Sequence, residues 1–151
     1  MGSPRPAPLL TLLSAPAVAA YTAADFWGDE TIYCLVAWHA RATPQANAVR
    51  DHHRRLSYAE LVAAADRLAA HLAGQGIRRG HRVAVWLPSR VETAIALLAC
   101  SRNGYVCCPS LHRDHTVGDI VSLVDRMRGA ALKSLSRATV PMPTATTSSP
   151  N

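Results

Sequence analysis

Lysine is almost missing from this sequence. Lys133 is the single one among 151 residues, although arginine brings Lys+Arg to 16. A site that holds a phosphate chain with two lysines cannot be assembled from these residues. Aromatic side chains are also scarce, at 5%, and much of the 49% hydrophobic content is alanine. The core must therefore be made of Leu, Val and Ile with little large apolar area, and modest stability is expected. No stretch reaches the roughly 18 uninterrupted apolar residues that span a bilayer, which excludes a simple transmembrane helix. Cysteine is present only as Cys34, Cys100, Cys107 and Cys108, with no CxxC spacing and no secreted-scaffold density. Reduced thiols and a cytoplasmic location follow as expectations.

Acidic residues are few as well, 10 against the 16 basic ones, for a formal charge of +6. The basic residues gather as HHRR at 52–55 and RRGHR at 78–82, between periodic segments. Neither run is interleaved with the aromatics on which single-stranded nucleic acids stack, so solvated loop charge is the expectation. A weak basic nucleic-acid binder stays as an alternative. PLLTLLSAPAVAA at 8–20 has the apolar centre and small-residue end of a leader, but Ser14 and Pro16 interrupt it and only Arg5 precedes it. Residues 1–20 are read instead as a loose arm with a short helix over 15–21.

What is there is an alternation of helix and strand signals. Ile32, Leu35, Val36 and His39 or Ala40 fall at helical spacing, with Asp29 or Thr31 as cap and an end near Ala42. Residues 48–51 and 54–56 suggest a small hairpin around a His-rich turn. LSYAEL at 56–61 carries a complete helix start: Ser57 and Glu60 make a capping box, and Leu56 with Leu61 a hydrophobic staple. Leu61, Val62, Ala65, Leu68, Ala69 and Leu72 line one face of the helix that follows, and Gly74 and Gly76 end it.

Residues 83–87 form a short apolar run suited to a strand buried on both faces, stopped by Pro88. Ser89 and Glu92 repeat the capping-box spacing. Val91, Ala94, Ile95 and Leu98 make the next buried stripe, closing at Arg102-Asn103-Gly104. A second strand over 105–109 completes a βαβ unit, so the fold class is α/β with parallel strands. Thr116 and Asp119 open a last helix, with Val117, Ile120, Val121, Val124 and Met127 inward, faltering at Gly129. The stretch SLSRATVPMPTATTSSPN at 134–151 has no period that could bury a face. Residues 131–151 are read as a disordered Ser/Thr/Pro tail, and the abrupt change near 127–133 suggests a shifted reading frame.

LSYAEL resembles the first core motif of the adenylate-forming superfamily of AMP-dependent synthetases and ligases. GIRRGHRVAVWLPSRVETAIALLACSRNGYVCCPSL at 76–111 resembles the stretch that follows it in that superfamily. DFWGDETIYCLVAWHARATPQANAVRD at 25–51 is similar to the entry region of its aryl-acid and alicyclic-acid members. Together these cover about residues 20–128, so residues 21–130 are expected to be a partial N-terminal subdomain of the adenylate-forming fold. The resemblance implies a parent enzyme that activates a carboxylic acid with ATP and Mg²⁺ and passes the acyl group to a thiol such as coenzyme A. His81, Ser89, Asn103 and Tyr105 depart from the family pattern and put local packing in question.

That chemistry needs a Ser/Thr/Gly-rich phosphate loop, an acidic residue for the metal and catalytic lysines. None is found in the sequence, so no catalytic, cofactor-binding or metal residue is assigned, and a chain inactive by itself is expected. The alternative is a stand-alone interaction or regulatory module that docks on an intact synthetase. Apolar surface left uncovered at the sheet implies self-association. Three other groupings are weighed. Cys107, Cys108, His112 and His115 could bind a metal, but adjacent strand cysteines point to opposite faces, so thiol packing is preferred. Ser101 or Ser110 beside His112 lacks the third member of a hydrolase triad. Trp38 and Trp86 read as core rather than pocket, and His112 and Arg113 follow the second strand, on the side where α/β sheets gather ligands.

Overall fold

The computed structural model describes residues 14–109, 116–127, 129–134 and 140–141. Its elements run α1 (Ala15–Ala23), α2 (Ile32–Ala42), β1 (Asn47–Arg50), β2 (Arg55–Ser57), α3 (Tyr58–Gly74), β3 (Arg82–Trp86), α4 (Val91–Asn103), β4 (Val106–Pro109), α5 (Val117–Arg126), β5 (Gly129–Ser134) and β6 (Val140–Pro141). The α/β class expected from the alternating signals is the observed one.

Capping chemistry sets most helix starts. Ser57 accepts from the Glu60 N–H while Glu60 accepts from the Ser57 N–H, so the LSYAEL box is closed in both directions. Leu56 and Leu61 meet in one cluster with Ala65, Ile95 and Leu98, which completes the staple. Thr116 and Asp119 form the same box at α5. At the far end of α4, Gly104 adopts φ 67°, and a Cβ there would lie 3.0 Å from Arg79 Cγ, so only glycine fits the turn.

β3 is the centre of a sheet ordered β4-β3-β5-β6, parallel to both β4 and β5. Consecutive crossovers of one hand that travel in opposite directions place their helices on opposite faces. Val83 and Val85 accordingly pack among Leu72, Cys100 and Ala96 beneath α3 and α4, while Ala84 packs with Ile120 and Val124 of α5. Alternation along one strand thus buries both sides, as its continuous apolar sequence requires.

Four expectations are corrected. The stripe of α2 keeps its period but not its phase: Tyr33 and Val36 turn inward, while Ile32 and Leu35 are 54% and 56% exposed. The register is held by the Tyr33 ring, whose hydroxyl donates to Asp66 Oδ1 at 2.6 Å and accepts from Arg102 Nε. In α5, Val117 and Val121 are exposed and Leu123 takes their place against the core, because a single helix meets this face of β3 along the line of Ile120 and Val124. Trp38 is 59% exposed rather than core, being on the outward side of α2.

The fourth correction concerns the end of the helical region. Gly129 does not merely end α5; it begins β5, whose residues pair with Arg82 to Trp86. A Cβ at Gly129 would stand 2.9 Å from Val124 Cγ1, so the missing side chain lets the strand start directly against the helix. Lys133 and Ser134 therefore lie in a sheet strand, and Val140–Pro141 adds a short antiparallel edge. The rest of the Ser/Thr/Pro tail lies outside the described residues.

Candidate functional site

An open cleft of about 490 Å³ lies beyond the carboxyl end of β3, lined by Arg50, Asp51, His52 and Ser89. Two elements meet there. The β1–β2 hairpin supplies the first three residues, and the loop between β3 and α4 supplies Ser89. In the strand order β4-β3-β5 the chain reverses its direction of travel at β3, and open α/β sheets bind ligands outside the carboxyl ends at such reversals.

Asp51 organises this corner. Its Oδ1 accepts from the His53 and Arg54 N–H groups at 2.8 and 2.9 Å, which closes the hairpin turn on itself. Its Oδ2 accepts from the Val91 N–H at 3.1 Å, in the first turn of α4. The expected Ser89–Glu92 box is consequently absent. The N-cap is Arg90, without a side-chain bond. Glu92 is drawn instead to Arg54, with Oε1 2.7 Å from Nη2. Ser89 sits one residue too early, and a carboxylate from 40 residues upstream has taken the capping position. The Val91, Arg54 and His53 N–H groups hold the Asp51 carboxyl far below the ordinary carboxylate range.

Chemically, this corner is a structural junction. The positive end of α4 is already neutralised by Asp51, so a bound anion would have to share it with a fixed carboxylate. The described residues contain no group of three or more His, Cys, Asp or Glu side chains able to hold a metal. His112, Arg113, His115 and Ser110 lie outside the described residues, so the structure does not bring them to Cys107 or Cys108. Ser101, weighed as a nucleophile, accepts from the Tyr33 N–H at 3.2 Å and ties α4 to α2. Trp86 packs beside Ile120 and Val124, as its core reading requires, with its Nε1 buried and unpartnered.

Two departures from the family pattern turn out to be one device. Asn103 Nδ2 donates to Ala69 O at 3.0 Å and to the Tyr105 hydroxyl at 2.9 Å, and that hydroxyl donates to Ile77 O at 3.1 Å. α3, the end of α4 and the approach to β3 are joined through a fully satisfied polar chain, so the larger Asn and Tyr support the packing. His81 likewise accepts from the Arg78 N–H through Nδ1 at 3.2 Å. Sequence reasoning missed Asp51, whose local signal was an Asp opening a turn; its distant partner has none.

The family model described as AMP-binding enzyme matches residues 36–123. The chain belongs to this family of adenylate-forming enzymes. It is 39% identical over 113 residues to a salicyl-AMP ligase / salicyl-S-ArCP synthetase of Mycobacterium tuberculosis, spanning 70% of this chain and 20% of that protein. It is 41% identical over 86 residues to a 2-hydroxy-7-methoxy-5-methyl-1-naphthoate–CoA ligase of Streptomyces carzinostaticus, spanning 57% and 15%. Among solved structures, the apo form of Mycobacterium smegmatis MbtA superposes with a TM-score of 0.69 at 37% identity, covering 81% of this chain and 23% of that one. The chain therefore spans about a fifth of the length of these relatives, and it corresponds to a partial N-terminal subdomain of their fold.

Proposed function

We propose that these residues are the structural front of an AMP-forming acid–thiol ligase acting on an aryl or related carboxylic acid. In the intact enzyme the carboxylate is joined to AMP from ATP, with Mg²⁺ balancing the phosphate charge, and the acyl group then passes to a thiol such as coenzyme A. The observation that carries this reading is the coincidence of the family match over 36–123 with a sheet centred on β3 and a junction built for structure. The relatives act on salicylate and a naphthoate, which supports an aromatic acid. A cytoplasmic location goes with the reading, since ATP and coenzyme A are cytoplasmic substrates.

The described residues contribute no phosphate-cradling loop, and the single lysine, Lys133, is a strand residue paired with Val85. The chain is therefore inactive by itself. ATP–pyrophosphate exchange with salicylate and related acids tests this: no exchange above a protein-free control is expected, and any acid-dependent exchange overturns it.

A second reading, a module that docks on an intact synthetase or on itself, is favoured by one observation. Ile32, Leu35 and Trp38 form an uncovered apolar stripe along α2. Light scattering on the isolated chain should then give a mass above 16.2 kDa. A clean monomer over a hundredfold dilution range removes self-association.

A further inference from the structure

Two thiols that the adenylating chemistry does not use face each other inside the α/β layer. Cys100, on α4, is 1% exposed and belongs to the cluster of Leu72, Ile77, Val83 and Tyr105. Cys107, on the neighbouring strand β4, packs against the same cluster and stays half-buried. The Cys100 thiol donates a hydrogen bond to the Cys107 sulfur. We infer that Cys100 and Cys107 are a redox pair, converted by a hydroperoxide into an intrachain disulfide that staples α4 to β4.

The roles within the pair follow from the hydrogen bond. Accepting it lowers the Cys107 thiol, while donating it, together with burial, raises Cys100. Cys107 is thus the nucleophile and Cys100 the resolving thiol. In the first step the Cys107 sulfur attacks a peroxide oxygen; an S–O bond forms, the O–O bond breaks, and the departing hydroxide takes a proton to leave as water. In the second, the Cys100 sulfur attacks Cys107, the S–S bond forms, the S–O bond breaks, and the hydroxide carries off the Cys100 proton as a second water. Two thiols and one peroxide give one disulfide and two waters. Sulfurs that already share a hydrogen bond need little movement to reach the ~2.05 Å bond length.

The other thiols are placed differently. Burial raises Cys108, and its Sγ contacts Val106 O. Cys34 is exposed and lowered by its bond from Thr31, so it competes for peroxide and can link two chains. The test therefore uses the full chain carrying Cys34→Ser. Reduced protein is exposed to hydrogen peroxide in its native state, remaining thiols are alkylated in denaturant, and tryptic peptides are mapped. Cleavage after Arg102 separates Cys100 from Cys107, so the link appears as a joined peptide pair that dithiothreitol splits.

The expected result is the loss of two alkylatable thiols, with the joined pair retained in Cys108→Ser and abolished in Cys107→Ser. Full alkylation of Cys100 after peroxide treatment overturns the inference, as does a link that survives Cys107→Ser. The Cys34→Ser map alone decides the first of these, so a Cys107 variant that fails to fold does not leave the question open.

Discussion

The α3/α4 side of the molecule and the outer side of α2 differ in how completely they are closed. Beneath α3 and α4, Leu72, Val83, Val91 and Cys100 are sealed, and the polar atoms at the layer's edge are joined by Asn103 and Tyr105. Along α2, the inward side is anchored by Tyr33 to Asp66 and Ser101, yet Ile32, Leu35 and Trp38 face outward uncovered. The same short chain thus contains a finished interior and an unfinished surface. The first explains why a fifth of a large fold has a definite core; the second marks where that core expects further protein.

The contrast can be broken most forcefully in the sealed layer. Leu72→Ala should cost about 3 kcal/mol in urea unfolding, because the side chain is 1% exposed and a cavity would remain. A cost under about 1 kcal/mol would show that this layer is not the core. Next comes the polar chain: Tyr105→Phe removes the hydroxyl between Asn103 and Ile77 and should cost about 1.5 kcal/mol. With Asn103→Ala as the second arm of a double-mutant cycle, strict additivity would break the claim that the two act together.

The junction at Asp51 gives a smaller effect with a pH signature. Its folded carboxyl is depressed, so its contribution is present above the unfolded value of about 3.9 and is lost as pH falls below that toward the folded value. Asp51→Asn should lower Tm by about 4 °C at pH 7 and flatten the fall in Tm below pH 4. An unchanged acid limb would contradict the role. Smallest is the open side: Trp38→Ala should change stability by no more than about 0.5 kcal/mol while reducing self-association in light scattering. A loss like that of Leu72→Ala would mean the stripe is covered after all.

Much of this was legible in sequence where cause and effect are local. The Ser57–Glu60 box, the Leu56–Leu61 staple and the αL turn at Gly104 each depend on residues within a few positions, and each forms as read. The two-sided burial of β3 was visible in its apolar run. What failed depended on partners far along the chain. The phase of α2 is chosen by Asp66 and Arg102, and the cap of α4 by Asp51; neither can be found by periodicity. β5 was hidden for a different reason: GAALKS carries few β-branched residues, so its strand character comes from pairing with β3 rather than from propensity. The candidate site was the least legible part, because the cleft joins a hairpin and a loop whose contact exists only in the fold.

The central claim is that these residues supply the architecture of an adenylating domain and none of its chemistry. The most direct measurement is a graft: residues 20–128 of this chain replace the matching segment of Mycobacterium smegmatis MbtA, and acid-dependent ATP–pyrophosphate exchange is compared with the isolated chain. The account predicts exchange within about tenfold of the unmodified enzyme from the graft, a loss of no more than ~1.4 kcal/mol in the barrier, and none from the chain alone. A folded graft without exchange, or exchange by the chain alone, would contradict it.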